Sequence, residues 1–425
     1  MKRLTRPLIK NNGQYQEITF EQAFAQIATQ NATAPSNSTL VMANGNYSNE
    51  ELYLIQRLAR AGLRTNALGS FDYYRRGTAF FIDKNDIVPF AELFASTQFL
   101  LIWDETADTQ SAKSIQQILQ ACDKTPQYVF NTPGALHISN YGAFFRSVNR
   151  YLIQYNLAKG IYVDGLGKNY DTYKKQILGE DYSQMLAVNE LQLADVQAIV
   201  DLLLQSEAPA FIVWERLLDE RGVIELENLC MLLNIQAKPA SGFLCVKAEL
   251  NSQGLFDMGF FPHVCVGGLP FAEENTQLMR DLYKKEITLD TVDLPLRLSQ
   301  CDFKQCLIFN ASGTEMPEEI RQQIQNCNFS VLHTSYWNDD HPDFDLILPA
   351  TLPEETVGTY TDSARIPHNS KPDQTSALTY NNLQQLSELG KLFHLEPLEN
   401  TTDIFMEYIS FFKGGCRSRY RHFFR

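Results

Sequence analysis

The chain has 425 residues, 44% of them hydrophobic and 20% charged, which excludes disorder as its main state and a single ordinary domain as its whole content. A net charge of −14 opposes binding to phosphate backbones or anionic lipid, so nucleic acid is excluded as a partner. No run approaches the ~20 apolar residues of a membrane helix, and the basic start MKRLTRPLIKNNG lacks the apolar centre of a secretion signal, so no membrane insertion and a cytoplasmic location are expected.

In chain order, residues 1–34 read as a basic N-terminal arm and a first helix, with Thr19 as its cap and Gln22 at the third helical position. The buried-strand run 38–44 follows, and then a helix from Glu50 to Leu63 that Ser48 and Glu51 open as a capping box. The segment 68–81 is rich in aromatics and glycine and marks a break. Strand runs at 98–104, 126–132, 209–215, 304–311, 328–334 and 344–350 then alternate with helices at 111–122, 191–205, 221–233 and 317–327. That alternation predicts α/β architecture with doubly wound parallel sheets. The expected division is 35–90 plus 206–350 as a discontinuous first α/β domain and 91–205 as an inserted second one. A return segment and linker would span 351–378, and a helical extension with a basic tail 379–425.

The tail from Lys413 to Arg425 carries five positive charges and no acid, which leaves two readings open: a solvated end, or a docking segment for an acidic partner. Eight cysteines in a chain of this length, without C-x2-C spacing, predict reduced thiols and neither a disulfide framework nor a zinc or iron–sulfur site. His333, His341 and His368, with Asp339, Asp340 and Asp343, match no metal-ligand spacing and read as solvated loop residues. Tyr336-Trp337 and Phe423-Phe424 read as core or interface anchors.

Four stretches in order carry a family resemblance: the arm and helix at 3–28, YSNEELYLIQRLARAGLRTNALGSFD (47–72), KAELNSQGLFDMGFFPHVCVGG (247–268) and DDHPDFDLILPATLPEETVGTYTDSARI (339–366). Gln253, Gly254, Asp257, Met258, Gly259 and Pro262 match the third pattern; Leu348-Pro349, Glu355, Gly358, Thr359 and Arg365 match the fourth. Together they resemble the molybdopterin oxidoreductase family, which includes formate dehydrogenase α subunits and the degenerate domain of the large iron–sulfur subunit of complex I. The resemblance implies two Rossmann-like α/β domains of the formate dehydrogenase and DMSO reductase type, here without the iron–sulfur domain and without the C-terminal domain that caps the cofactor.

Several positions depart from the family pattern. Aligning FDYYRRGTAFF places Thr78 at the metal-ligand position and Ala79 at the catalytic His, and no Cys or His occurs from 1 to 121. A neutral alcohol replaces a thiolate poorly on a soft metal, and alanine cannot relay a proton. Lys247 stands at the substrate arginine, keeping the charge but losing the bidentate fork. The cofactor turns are eroded: WDETAD (103–108) sets Asp104 where a phosphate would lie, NYGAFF (140–145) lacks the acid that pairs with guanine, and NASGTE (310–315) keeps only Gly313. The Gln253 to Gly259 turn is kept, and reads equally as ligand binding or as a packing turn between two strands.

The leading expectation is a catalytically inactive structural or assembly subunit of a formate dehydrogenase-like or NADH dehydrogenase-like redox complex, with no cofactor and no iron–sulfur cluster on this chain, and an iron–sulfur or flavin subunit as partner. A split formate dehydrogenase holding bis-molybdopterin guanine dinucleotide with Mo or W, and a nucleotide- or pterin-binding protein, remain as alternatives. Candidate cofactor contacts are Gln253, Gly254, Asp257, Met258, Gly259, Gly313, Gly358 and Thr359.

Overall fold

The computed structural model describes residues 2–81, 87–160, 162–235, 238–337 and 343–413, and these fall into two compact units. Among the described residues, one unit takes the chain up to Arg75, then Glu249–Asp362 and 367–413; the other takes Arg76–Ala248 with Ser363–Ile366.

The first unit is built on a seven-stranded sheet in the order Gln14–Glu17, Leu8–Asn11, Leu346–Pro349, Phe329–Thr334, Gln305–Phe309, Thr39–Ala43, Leu68–Ser70. The last five run parallel, with Leu307 between Val41 and Val331, while the Leu8–Asn11 and Gln14–Glu17 hairpin adds antiparallel at the edge. The central strands are buried on both faces, which is why they read as continuous apolar runs rather than alternating ones. Helix Glu318–Asn326 covers one face, where Ile320 and Ile324 pack on Leu40, Met42, Cys306 and Ile308. Both predicted capping boxes are present: Thr19 with Gln22 opens helix Phe20–Ala32, and Ser48 with Glu51 opens helix Asn49–Arg57. The latter ends in a π turn, Leu58–Gly62, instead of running on as one α-helix to Leu63.

The second unit carries four parallel strands in the order Gln127–Val129, Gln98–Ile102, Pro209–Trp214, Gly242–Val246. The domain boundary therefore lies near 248 rather than at 205. Phe211 pairs with Leu100 on one side and Phe243 on the other, so the strands expected in the first domain extend the inserted sheet. The loop at 206–208 is a connection within the unit, feeding helix Leu193–Gln205 back onto that sheet. Helices Tyr141–Gln154 and Glu220–Leu232 pack together; Arg146 joins Glu180 and Glu225, and Asn149 donates to Glu225 Oε2 at 3.0 Å.

Candidate functional site

In a doubly wound sheet a ligand crevice opens where the strand order reverses, beyond the carboxyl ends of the two diverging strands. In the first unit those strands are Thr39–Ala43 and Gln305–Phe309, and the segment 44–51 crosses their ends. Nearly every polar group of this segment is used on the protein itself. Asn44 donates to Asn310 Oδ1 at 2.9 Å and lies 3.1 Å from Ser312 Oγ. Gly45 donates its amide to Glu249, and its carbonyl accepts from Asn251 N at 2.6 Å. Asn49 donates to the hydroxyls of Thr359 (3.2 Å) and Thr361 (2.9 Å), and Asn251 donates to Asn49 Oδ1 at 3.0 Å. Glu50 accepts from the Thr359 amide (2.8 Å) and hydroxyl (2.9 Å).

The kept glycines are explained by close approaches within this hub. A Cβ on Gly254 would stand 2.3 Å from the amide oxygens of both Asn49 and Asn251, and one on Gly358 would stand 2.6 Å from Ser48 Cβ. Gly259, at φ +74°, approaches the Cys265–Val266 peptide at 2.7 Å. Gly313 also has positive φ, but nothing lies within 4 Å of its Cβ position, so only the turn requires it. Gln253 donates to Asp257 Oδ1 at 3.2 Å inside a short helix, Ser252–Asp257, which corrects the expectation of a turn between strands. Met258 caps that helix and is buried, and the buried Ser252 hydroxyl is left without a partner. The structure thus brings Gly254, Gly358 and Thr359 together around Asn49.

The next loop is held as tightly. Arg60, fully buried, donates to Asn66 Oδ1 (2.9 Å), Gln56 Oε1 (3.1 Å) and the carbonyls of Phe261 (2.8 Å) and Val264 (3.0 Å), while Asn66 donates to Pro262 O at 2.6 Å. Glu355 accepts from Arg3 at 2.5 Å, tying the arm to the return segment.

Thr78, Ala79 and Lys247 lie in the other unit. Lys247 is 2% exposed. Its ammonium donates to the Phe80 carbonyl, stands 3.7 Å from the fully buried Glu215 carboxylate and faces the Phe81 ring at 4.6 Å. Glu215 also accepts from Ala248 N at 2.6 Å. Lys247 is therefore an internal tie between strand Gly242–Val246 and the segment around Phe80. Ala79 is buried and Thr78 half-buried beside it in sequence. At the two positions that the resemblance assigns to the metal ligand and the proton relay stand an alcohol and a methyl group, and a methyl group offers a metal no donor.

Other expectations change. NYGAFF is no turn: Asn140 caps helix Tyr141–Gln154, accepting from Ala143 N at 2.8 Å. Asp104 accepts from Thr106 N (2.9 Å) and its hydroxyl (2.6 Å), bonds that hold its carboxyl below the usual range and keep the negative charge in the turn. His333 is a core residue on strand Phe329–Thr334, not a solvated one; burial pushes its ring down to about 3, and Nδ1 lies 2.9 Å from the Tyr47 hydroxyl. His368 is exposed and pairs with Asp362 at 2.7 Å, whereas His341, Asp339 and Asp340 lie outside the described residues. Trp337 packs on the core, and Phe423 and Phe424 lie outside the described residues. No helix among the described residues is long and apolar enough to cross a membrane.

Sequence reasoning missed the titratable feature of the hub. Burial pushes the Glu51 carboxyl up to about 7 against the donation of Ser48 N and Asn382 Nδ2, and burial raises Glu50 as well. Because the folded value lies above the unfolded one of ~4.3, the native state binds the extra proton, and stability falls as pH rises from about 4.5 through 7. Glu51→Gln keeps the capping geometry and is expected to stabilise the protein at pH 8 while changing little at pH 4.5, as read by urea unfolding across pH. Equal effects at both pH values would contradict a titrating Glu51.

Residues 3–118 match the family model described as molybdopterin oxidoreductase. Over that segment the chain is similar to the molybdopterin oxidoreductase domain, as its motifs lead one to expect. Among curated members it is similar to the F420-dependent formate dehydrogenase 2 subunit alpha of Methanococcus maripaludis, 21% identical over 402 residues, covering 85% of this chain and 58% of that protein. Across the first two such relatives the chain spans 40–58% of their length, about half. Among solved structures, acetylene hydratase from Pelobacter acetylenicus aligns with 96% of this chain and 64% of its own, with a TM-score of 0.66 at 14% identity. A chain of the formyltransferase/hydrolase complex of Methylorubrum extorquens, solved with methylofuran, aligns over 91% of this chain and 99% of its own, with a TM-score of 0.57 at 11% identity. At these identities the structural likeness establishes the molybdopterin oxidoreductase fold alone.

Proposed function

We propose that this chain is a molybdopterin oxidoreductase-family subunit that has given up metal chemistry and works as a structural and assembly module of a multi-subunit complex. The observation that carries the reading is the closure of Lys247: a cation that would hold a substrate carboxylate is spent on the Phe80 carbonyl and Glu215. Thr78 and Ala79 remove the metal ligand and the proton relay from the same segment.

The complex is one that handles one-carbon substrates, of the formate dehydrogenase or formyl-transfer kind. The matched curated relative is named as an alpha subunit, and the solved chain nearly coextensive with this one sits in a formyltransferase/hydrolase complex. The partner is a redox subunit with an iron–sulfur or flavin group, and the basic segment 413–425 docks on an acidic surface of such a partner.

Elemental analysis for Mo, W and Fe, with a pterin fluorescence assay on protein purified from its native source, tests this. The expected result is partner chains in the eluate and neither Mo, W nor pterin on this chain. Stoichiometric Mo or W with pterin would overturn the reading.

A further inference from the structure

The dipeptide Asn-Gly occurs twice, at Asn12-Gly13 and at Asn44-Gly45, and the fold treats the two in opposite ways. Asn12 and Gly13 form the exposed tip of the hairpin that joins Leu8–Asn11 to Gln14–Glu17, closed by the pairing of Asn11 with Gln14. Both have positive φ, +50° and +80°, the pattern favoured in two-residue hairpin loops. No atom lies within 4 Å of a Cβ position on Gly13, and among the described residues no hydrogen bond holds the Asn12 side chain. Asn44, by contrast, is wholly buried. Its Nδ2 donates to Asn310 Oδ1 at 2.9 Å and lies 3.1 Å from Ser312 Oγ and 3.2 Å from Thr314 Oγ1. Its Oδ1 accepts from Asn46 N at 3.3 Å, and the Gly45 amide donates to Glu249.

We propose that Asn12 is a site of spontaneous deamidation in the folded protein, converting to a mixture of aspartate and isoaspartate, whereas Asn44 keeps its amide. The nucleophile is the Gly13 main-chain nitrogen after loss of its proton, and glycine leaves it accessible because no Cβ crowds the approach. To attack, the tip must leave its left-handed conformation. An exposed loop tip with open space around it does so without displacing a neighbour. At Asn44 the same motion would break the bonds to Asn310, Asn46 and Glu249 and leave buried polar groups unpaired.

In the first step the Gly13 nitrogen bonds to Asn12 Cγ, the bond from Cγ to Nδ2 breaks, and the departing nitrogen takes up a proton to leave as ammonia, closing a succinimide ring. In the second, water opens the ring. Cleavage between the ring nitrogen and Cγ restores the ordinary main chain as aspartate. Cleavage between the ring nitrogen and the main-chain carbonyl carbon routes the chain through Cγ as isoaspartate. One amide and one water become one carboxylate and one ammonium, with no change of oxidation state. Isoaspartate adds a methylene to the main chain of the tip as well as a negative charge. Hairpin register is set by the loop, so this loosens the pairing of Gln14–Glu17 with Leu8–Asn11 at the sheet's edge and spares the five parallel strands.

The test incubates the full chain in mildly alkaline buffer, once folded and once in urea, and maps digests taken over time by chromatography and mass spectrometry. Protein isoaspartate methyltransferase labels the isoaspartyl product. In the folded chain the peptide containing Asn12 should give two products with the mass of the acid, one of them carrying the methyl label, while the peptide containing Asn44 keeps its amide. In urea both peptides should convert at similar rates. Asn12→Gln, whose longer side chain disfavours the ring, should lose the label at this position. The proposal is overturned if Asn12 keeps its amide in the folded chain as long as Asn44 does. It is equally overturned if Asn44 stays intact in urea, because the flanking sequence and not the fold would then set the difference.

Discussion

Replacing Arg60 by alanine is expected to destabilise the first unit by ~3–5 kcal/mol, since several buried acceptors are left unpaired at ~1–3 kcal/mol each. Four oxygens lose their donor at once: the side-chain amides of Gln56 and Asn66 and the carbonyls of Phe261 and Val264. None can turn to water, because Arg60 is fully buried and desolvation already holds its guanidinium below the usual range. Arg60→Lys should restore only part of the loss, since an ammonium cannot span four acceptors on two segments. Chemical denaturation measures the cost, and amide hydrogen exchange across 261–264 locates it. A loss below about 1 kcal/mol would mean that the loop is held by packing alone.

Lys247→Met separates two roles for the same residue. As an internal tie, its removal takes a cation from beside the buried Glu215 carboxylate and should cost ~3–5 kcal/mol, with much of that recovered in the double variant Lys247→Met, Glu215→Met. As an anion hook open to solvent, its removal should leave stability within ~0.5 kcal/mol. The pair of denaturation curves distinguishes these outcomes before any assay of activity.

The strands and the two capping boxes were legible because they depend on local rules: continuous apolar runs for doubly buried strands, and a hydroxyl three residues before a carboxylate or amide for the caps. Motif residues were visible as matches, but their work was not. Gly358 reads as a place for a ligand in sequence and proves to be the place where Ser48 approaches, some 310 residues away in the chain. Lys247 reads as a substrate-position cation because nothing near it in sequence reveals that Glu215 and Phe80 surround it. The domain boundary was misplaced for a related reason: a polar break at 206–208 marks a loop, and only strand pairing tells which sheet the next strand joins. Helix Tyr141–Gln154 went unread because Asn140 and the following Tyr-Gly resemble a turn as much as a cap.

Helix Asn49–Arg57, buried on every side though half its residues are polar, has a kinetic consequence. Its partners Asn251, Thr359, Asn382 and Tyr408 leave the ribosome roughly 200 to 360 residues after it. Until then its carboxylates are better solvated than docked, and loop-closure entropy delays the contacts that would reward burial. The stretch Arg76–Ala248, almost all of the second unit and contiguous in the chain, can fold meanwhile on its own. A nascent chain arrested before Gln305, where two central strands of the first sheet and the return segment are still to come, should therefore protect the second sheet from protease while leaving the first cleavable, an order of assembly the reverse of the order of synthesis.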